Sequence, residues 1–192
     1  MTTTASWNST RTVALISGGA RGIGRGIVRA LARTGACVVF GDRDRAGGGE
    51  TVELCATERV LFREVDFADA GAWPELLAAC REAGWQPTLG VSNVGIGRRL
   101  PLEQTPLETY AEVEAVNQRS AFLMARTLAP AMTDGGALVL IGSIMSDFGT
   151  AQYALYGMTK SALLGLARSL AVELAPRRIT VNGIQPGYIA LD

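Results

Sequence analysis

No histidine occurs among the 192 residues, and that absence narrows the chemistry more than any other feature of the composition. Histidine is the commonest general base near neutral pH, so acid–base work in this chain falls to Tyr, Lys, Asp or Glu. Cysteine is scarce: Cys37, Cys55 and Cys80 have no metal-ligand spacing and no histidine to complete a zinc site, so no metal is expected and they read as buried thiols. Charge of one sign is missing too, since 18 Lys and Arg balance 18 Asp and Glu. A balanced chain offers no basic stripe for nucleic acid, and a small ligand is the better fit. No apolar run approaches the ~18 residues of a membrane span, so no membrane partner is expected. The polar stretch Met1–Thr10 lacks the apolar core of a signal peptide. It reads as a loose leader, and the protein as cytoplasmic.

What is present is apolar and turn-rich: hydrophobic residues make up 48% of the chain, and 23 residues are glycine. The length suits one domain with a substantial core, taken as residues 11–192. Short apolar runs at 12–16, 36–40, 59–65, 88–92, 137–141 and 180–184, each bounded by Gly, Pro or polar residues, read as buried strands. Helical patterns lie between them at 22–33, 46–57, 70–82, 106–132 and 154–175. Strand–helix–strand repeated in this way predicts an α/β fold: a doubly wound, three-layer parallel sheet with right-handed crossovers.

Directly after the first strand comes Ser17-Gly18-Gly19-Ala20-Arg21-Gly22-Ile23-Gly24, with glycines at 18, 22 and 24 running into a helix. Glycine permits the tight turn and lets phosphate approach the backbone, and the helix start offers free N–H groups to a pyrophosphate. The spacing differs from the Gly-x-Gly-x2-Gly fingerprint, and a glycine cluster can be only a turn; its place between strand and helix argues for a dinucleotide. Asp42, ending the second strand, can bind both ribose hydroxyls and repel a 2′-phosphate, which favours NAD over NADP. Arg21 and Arg43 pull toward NADP. Asp66, with Phe67 after it, can meet the adenine edge or cap the next helix. Ser92-Asn93-Val94-Gly95-Ile96-Gly97 follows the fourth strand, at the sheet edge where open α/β folds hold ligands.

The reactive pair is Tyr156 and Lys160, four residues apart and therefore on one helix face. A free phenol titrates near pH ~10. An ammonium about 4 Å away, at an effective dielectric of about 20, stabilises the phenolate by roughly 4 kcal/mol, enough to lower its pKa by ~3. Ser143 stands thirteen residues before Tyr156, at the end of the fifth strand. Tyr153 lies seven residues from Lys160, ~10 Å along the helix axis, so it is expected to line the pocket rather than move protons. Ser146 lies only ten residues before Tyr156.

Together these residues resemble the short-chain dehydrogenase/reductase family. Its Thr-Gly-x3-Gly-x-Gly motif appears with Ser17 in place of Thr, and its Asn-Asn-Ala-Gly motif as Ser92-Asn93-Val94-Gly95. Asn117, Ser143, Tyr156 and Lys160 match its catalytic set, and Asn182, Pro186 and Gly187 its later elements. The resemblance implies a Rossmann fold with strand order 3-2-1-4-5-6 and an NAD(P)-dependent enzyme interconverting a secondary alcohol and a ketone. Tyr156 would be the acid–base, Ser143 would steady the substrate oxygen, and Lys160 would bind the nicotinamide ribose. Asn117 would hold a water in a proton relay. Cofactor contacts would come from Ser17, Gly18, Arg21, Gly22, Ile23, Gly24, Asp42, Arg43, Asp66, Phe67, Asn93, Gly95, Tyr156, Lys160, Pro186, Gly187 and Ile189. Ser143, Met145, Thr150, Tyr153 and Tyr156 would meet the substrate, with Ile96 adding to a mainly apolar wall. Leu191 stands where the family has a Thr, and the family continues beyond this point into a lid, a helix and a seventh strand, so the domain reads as C-terminally incomplete. Apolar residues of the long helices, Phe122, Leu163, Leu166 and Leu170 among them, imply a homodimer or homotetramer. The competing reading is a nucleotide-binding regulator or structural partner without turnover.

Overall fold

The computed structural model describes residues 12–190; the leader and Leu191 lie outside the described residues. Six parallel strands form one sheet: β1 (Val13–Ser17), β2 (Cys37–Asp42), β3 (Val60–Glu64), β4 (Leu89–Ser92), β5 (Ala137–Ile141) and β6 (Thr180–Ile184). Their order is β3-β2-β1-β4-β5-β6, as expected. The order reverses between β1 and β4, which pair Ala14 with Leu89 and Ile16 with Val91. The C-terminal ends of β1 and β4 therefore flank the crevice where ligands of such sheets bind.

The pleat explains why the strands are apolar on both faces. Leu15, Val39, Leu138 and Leu140 point into one core, packed by α3 (Ala72–Glu82), α5 (Ser120–Leu128) and α6 (Ala154–Glu173). Ala14, Ile16, Val38, Phe40 and Ile141 point into the other, covered by α1 (Gly22–Arg33) and α2 (Arg45–Cys55). Alternate residues of one strand thus feed two different layers. Trp73 anchors the larger core, buried to 1% exposure with its ring 5.1 Å from Phe67. Its indole N–H donates to the buried Ser120 hydroxyl. Leu163 belongs to this core and Leu166 and Leu170 pack against it, so among the named helix residues only Phe122 stays free for a partner.

The helix read across 106–132 is interrupted. α4 (Leu107–Glu114) passes into a π-helical turn over Ala115–Arg119 before α5 begins. Such turns carry one extra residue and often mark functional sites, and this one carries Asn117. Other helix boundaries fall within two residues of the periodic patterns, the usual scatter at frayed ends.

Candidate active site

Two cavities meet at the C-terminal edge of the sheet. The first, about 240 Å³, is lined by the glycine turn, Asp42, Arg43, Val65, Asp66, Phe67 and the segment from Asn93 to Ile96. The second, about 230 Å³, is lined by Ile141, Gly142, Ser143, Tyr156, Lys160, Pro186, Gly187 and Ile189. Ile23, Asn93 and Gly95 line both, so the two form one cleft. Topology accounts for the convergence, because every contributing loop leaves the same edge of a parallel sheet.

The first cavity has the features a pyrophosphate needs. Helix α1 begins after Arg21 with no side-chain cap and no acidic residue in its first turn, whereas α2 is capped by Asp44, whose carboxylate accepts from the Gly47 N–H. The α1 start therefore keeps unpaired donors and its positive dipole end, both suited to an anion. Gly24 packs so closely that a Cβ there would overlap the Gly18 carbonyl oxygen. The Ser17 hydroxyl accepts from the backbone N–H groups of Asn93 and Val94, at 3.0 and 3.1 Å, joining the β1 and β4 loops. Asn93 returns the tie, its amide donating to the carbonyls of Ser17 and Gly18. Serine thus supplies the hydroxyl that the motif asks of threonine.

The acids at this end serve the backbone as well as facing the cleft. Asp42 accepts from the N–H of Ala20 at 3.0 Å and of Asp44 at 3.1 Å. Each oxygen keeps lone pairs to spare for a ribose. Asp66 closes a local turn by accepting from the Ala68 N–H at 2.8 Å, and its side chain still borders the cavity. Arg21 and Arg43 both stand exposed on the rim.

In the second cavity the Tyr–Lys pair departs from the simple electrostatic expectation. Lys160 is 3% exposed, and its ammonium donates to the Ile141 carbonyl at 2.8 Å rather than to the phenol. Its nitrogen sits 5.9 Å from the centre of the Tyr156 ring. Gly95 makes room for it: a Cβ there would lie 2.9 Å from the ammonium nitrogen. Burial lowers the Lys160 pKa from its ordinary 10.5 to about 8. Tyr156 is displaced upward, chiefly by burial, with the Ser143 hydrogen bond pulling down and Tyr153 pushing up. The predicted lowering by Lys160 is therefore corrected. With its charge satisfied by the Ile141 carbonyl, the ammonium does not outweigh desolvation of the phenol.

Ser143 is buried, and its hydroxyl accepts from the Met145 N–H at 3.2 Å. Its proton is left free for Tyr156 or a ligand. The expected substrate set divides between two adjoining spaces. Ser143 and Tyr156 line the reactive cavity, while Met145, Thr150 and Tyr153 line a neighbouring groove of about 370 Å³. The Tyr153 and Tyr156 rings meet edge to face, 6.2 Å apart, at the boundary. Ile96 borders the dinucleotide end instead of a substrate wall.

Asn117 is 1% exposed, and its side chain is fully engaged. Its oxygen accepts from the Ile96 N–H at 2.8 Å, and its nitrogen donates to the Ile96 carbonyl at 2.9 Å and to Thr159 at 3.0 Å. The amide thus clamps the β4 loop beside Lys160. Thr159 escaped notice in the sequence; the available signal was a hydroxyl three residues after Tyr156, placed to bond back to the preceding helical turn.

The family model described as enoyl-(acyl carrier protein) reductase matches residues 18–192. Hydroxynaphthalene reductase arp2 of Aspergillus fumigatus is 33% identical over 94% of this chain and 67% of its own length. A short-chain dehydrogenase/reductase from Serratia marcescens superposes with a TM-score of 0.90 at 34% identity, covering 94% of this chain and 76% of that one. A blue fluorescent protein from a metagenomic library, in complex with NADPH, gives 0.91 at 32% identity over 95% and 76% of the two chains. No helix among the described residues is long and apolar enough to cross a membrane. The glycine turn, the sheet order and the matched family model converge: this chain belongs to the short-chain dehydrogenase/reductase family of NAD(P)-dependent oxidoreductases.

Proposed function

We propose that the protein interconverts a secondary alcohol and a ketone, with Tyr156 as the proton-transfer group. The observation that carries this reading is the cleft itself. Ser143, Tyr156 and Lys160 share one cavity that opens through Ile23, Asn93 and Gly95 into the uncapped start of α1. A nicotinamide dinucleotide in that cleft would supply or accept the hydride. Its pyrophosphate would lie on the glycine turn, its adenosine near Asp42, Asp66 and Phe67, and its nicotinamide end near Pro186, Gly187 and Ile189.

Reduction of a ketone adds a hydride to carbon and a proton to oxygen. The Tyr156 phenol donates that proton and recovers it when the reaction runs toward the ketone. Its raised pKa keeps it protonated at neutral pH, ready to donate. The Ser143 hydroxyl donates a hydrogen bond to the same oxygen and steadies its developing charge. Lys160 has three N–H donors and spends one on Ile141, which leaves two for a ribose. With a pKa of about 8 it is mainly cationic at pH 7, and its charge favours the phenolate when the proton leaves.

For cofactor choice, Asp42 favours a free ribose diol and hence NAD, against the pull of Arg21 and Arg43 toward a 2′-phosphate. Asp42→Ala should weaken NAD more than NADP in equilibrium titrations; equal losses would show that Asp42 does not read the ribose. The exposed apolar face of α4, α5 and α6, with Tyr110 45%, Phe122 54% and Met158 46% exposed, supports assembly into a homodimer or homotetramer. To test the reaction, the protein is mixed with NAD and a panel of secondary alcohols and polyols, and with NADH and NADPH and a panel of ketones, following nicotinamide absorbance. Tyr156→Phe should lower turnover by about 10²- to 10⁴-fold and leave cofactor affinity largely intact. Unchanged turnover in that variant would overturn the proton-transfer role, and tight cofactor binding without turnover on any substrate would favour a regulator.

A further inference from the structure

Thr159 is fully buried, immediately before Lys160, and its hydroxyl joins two polar groups that need it in opposite senses. It donates to the Tyr156 carbonyl at 2.9 Å and accepts from the Asn117 amide nitrogen at 3.0 Å. A carbonyl only accepts, so the single Thr159 proton is committed to Tyr156 and the remaining lone pairs can meet only a donor. The Asn117 nitrogen must therefore face Thr159, which turns its oxygen toward the Ile96 N–H. A flipped amide would set an oxygen against both the Thr159 lone pairs and the Ile96 carbonyl, and an NH₂ against the Ile96 N–H. In this buried place these mismatches leave polar groups unpaired.

We propose that Thr159 is a positioning residue: its hydroxyl braces the Asn117 amide in the direction that its two bonds to Ile96 also require, and through that amide holds the Gly95–Ile96 segment against Lys160. The π-helical turn around Asn117 brings the amide to the loop, and Gly95 is the residue whose missing side chain admits the ammonium. Removing the hydroxyl takes away one of the three bonds that hold the amide, the other two being to the Ile96 N–H and carbonyl, and so loosens the loop shared by both cavities. The link from Thr159 to Lys160 thus runs through a loop from another part of the sheet as well as along the helix they share.

The test has a structural arm that does not depend on the proposed reaction. Amide hydrogen exchange of Ile96 is measured by NMR in the full chain, for wild type, Thr159→Val and Thr159→Ser. The valine keeps the shape without the hydroxyl and should speed Ile96 exchange at least tenfold, while the serine should restore it to within about threefold. Thr159→Ala replaces the valine variant if the latter does not fold. The kinetic arm rests on the proposed alcohol–ketone reading and uses a substrate identified by the panel above. Thr159→Val should lower kcat about tenfold in wild type and by less than twofold in an Asn117→Ala background, because the hydroxyl acts through that amide. Unchanged Ile96 exchange, or equal kcat losses in both backgrounds, would overturn the proposal. An exchange response with no turnover in wild type supports the positioning role and refutes only the reaction.

Discussion

Replacing Lys160 by Met should make stability respond differently to pH, by an amount the burial of that ammonium sets. In the folded protein Lys160 titrates near 8 rather than 10.5. Two and a half pH units at about 1.4 kcal/mol each place a penalty of about 3 kcal/mol on the charged side chain in the native state. The sign follows from proton counting. Below pH 8 both folded and unfolded chains hold the proton and the penalty is constant. Between 8 and 10.5 the unfolded chain binds more protons, so wild type gains stability as pH rises. By pH 9.5, about 2 of those 3 kcal/mol should have returned relative to pH 7. Lys160→Met lacks the titration and loses the bond to the Ile141 carbonyl, a deficit that does not vary with pH. Urea unfolding of both proteins at pH 7, 8, 9 and 9.5 isolates the effect in their difference, because raised Cys37, Cys55, Cys80 and Tyr156 groups titrate in both. Those groups destabilise the fold as pH rises above 9, so wild-type curves alone would mislead. A stability difference that stays flat across this range would refute the claim that Lys160 pays for its burial.

Four further outcomes can be checked. Tyr156→Phe should cost about 10²- to 10⁴-fold in kcat, the usual worth of a general acid–base, read in nicotinamide absorbance assays. Ser17→Ala strands two backbone donors, of Asn93 and Val94, and should lower stability by about 2–4 kcal/mol in urea melts, whereas Ser17→Thr should stay within about 1 kcal/mol of wild type. Gly24→Ala places a methyl on the Gly18 carbonyl oxygen, so dinucleotide affinity should fall at least a hundredfold in fluorescence titration. Phe122→Glu should shift the proposed oligomer toward monomer in sedimentation experiments, since Phe122 is the exposed aromatic of α5.

Much of this was legible in the chain because it is local. Each strand announces itself as a short apolar run between turn residues, and the glycine turn as spacing after a strand. Ser143, Tyr156 and Lys160 come together because the β5 loop and α6 are consecutive, and a helix puts positions four apart on one face. What escaped the sequence is decided by contacts distant along the chain. The Ile141 carbonyl that claims Lys160 lies nineteen residues away, and nothing near Tyr156 foretells that burial would outweigh the ammonium. The π-helical turn has no local signature either. Its Asn117 is held by Ile96, twenty-one residues earlier, and by Thr159, forty-two later. Asp66 does not cap the next helix, which starts after Gly71 without a side-chain cap; it closes a turn onto the Ala68 N–H and borders the cavity.

The π-helical turn also makes chain length a functional variable. A π turn holds one residue more than the α-helix it interrupts, so deleting a single residue within 115–119 would let the segment close as continuous α-helix with α4 and α5 still facing their cores. Val113 on one side and Met124 on the other are both buried, so neither segment could rotate without exposing its apolar face. A deletion there would therefore keep both packed faces and shift Asn117 away from the β4 loop it holds, so its cost would fall on the site and not on the core.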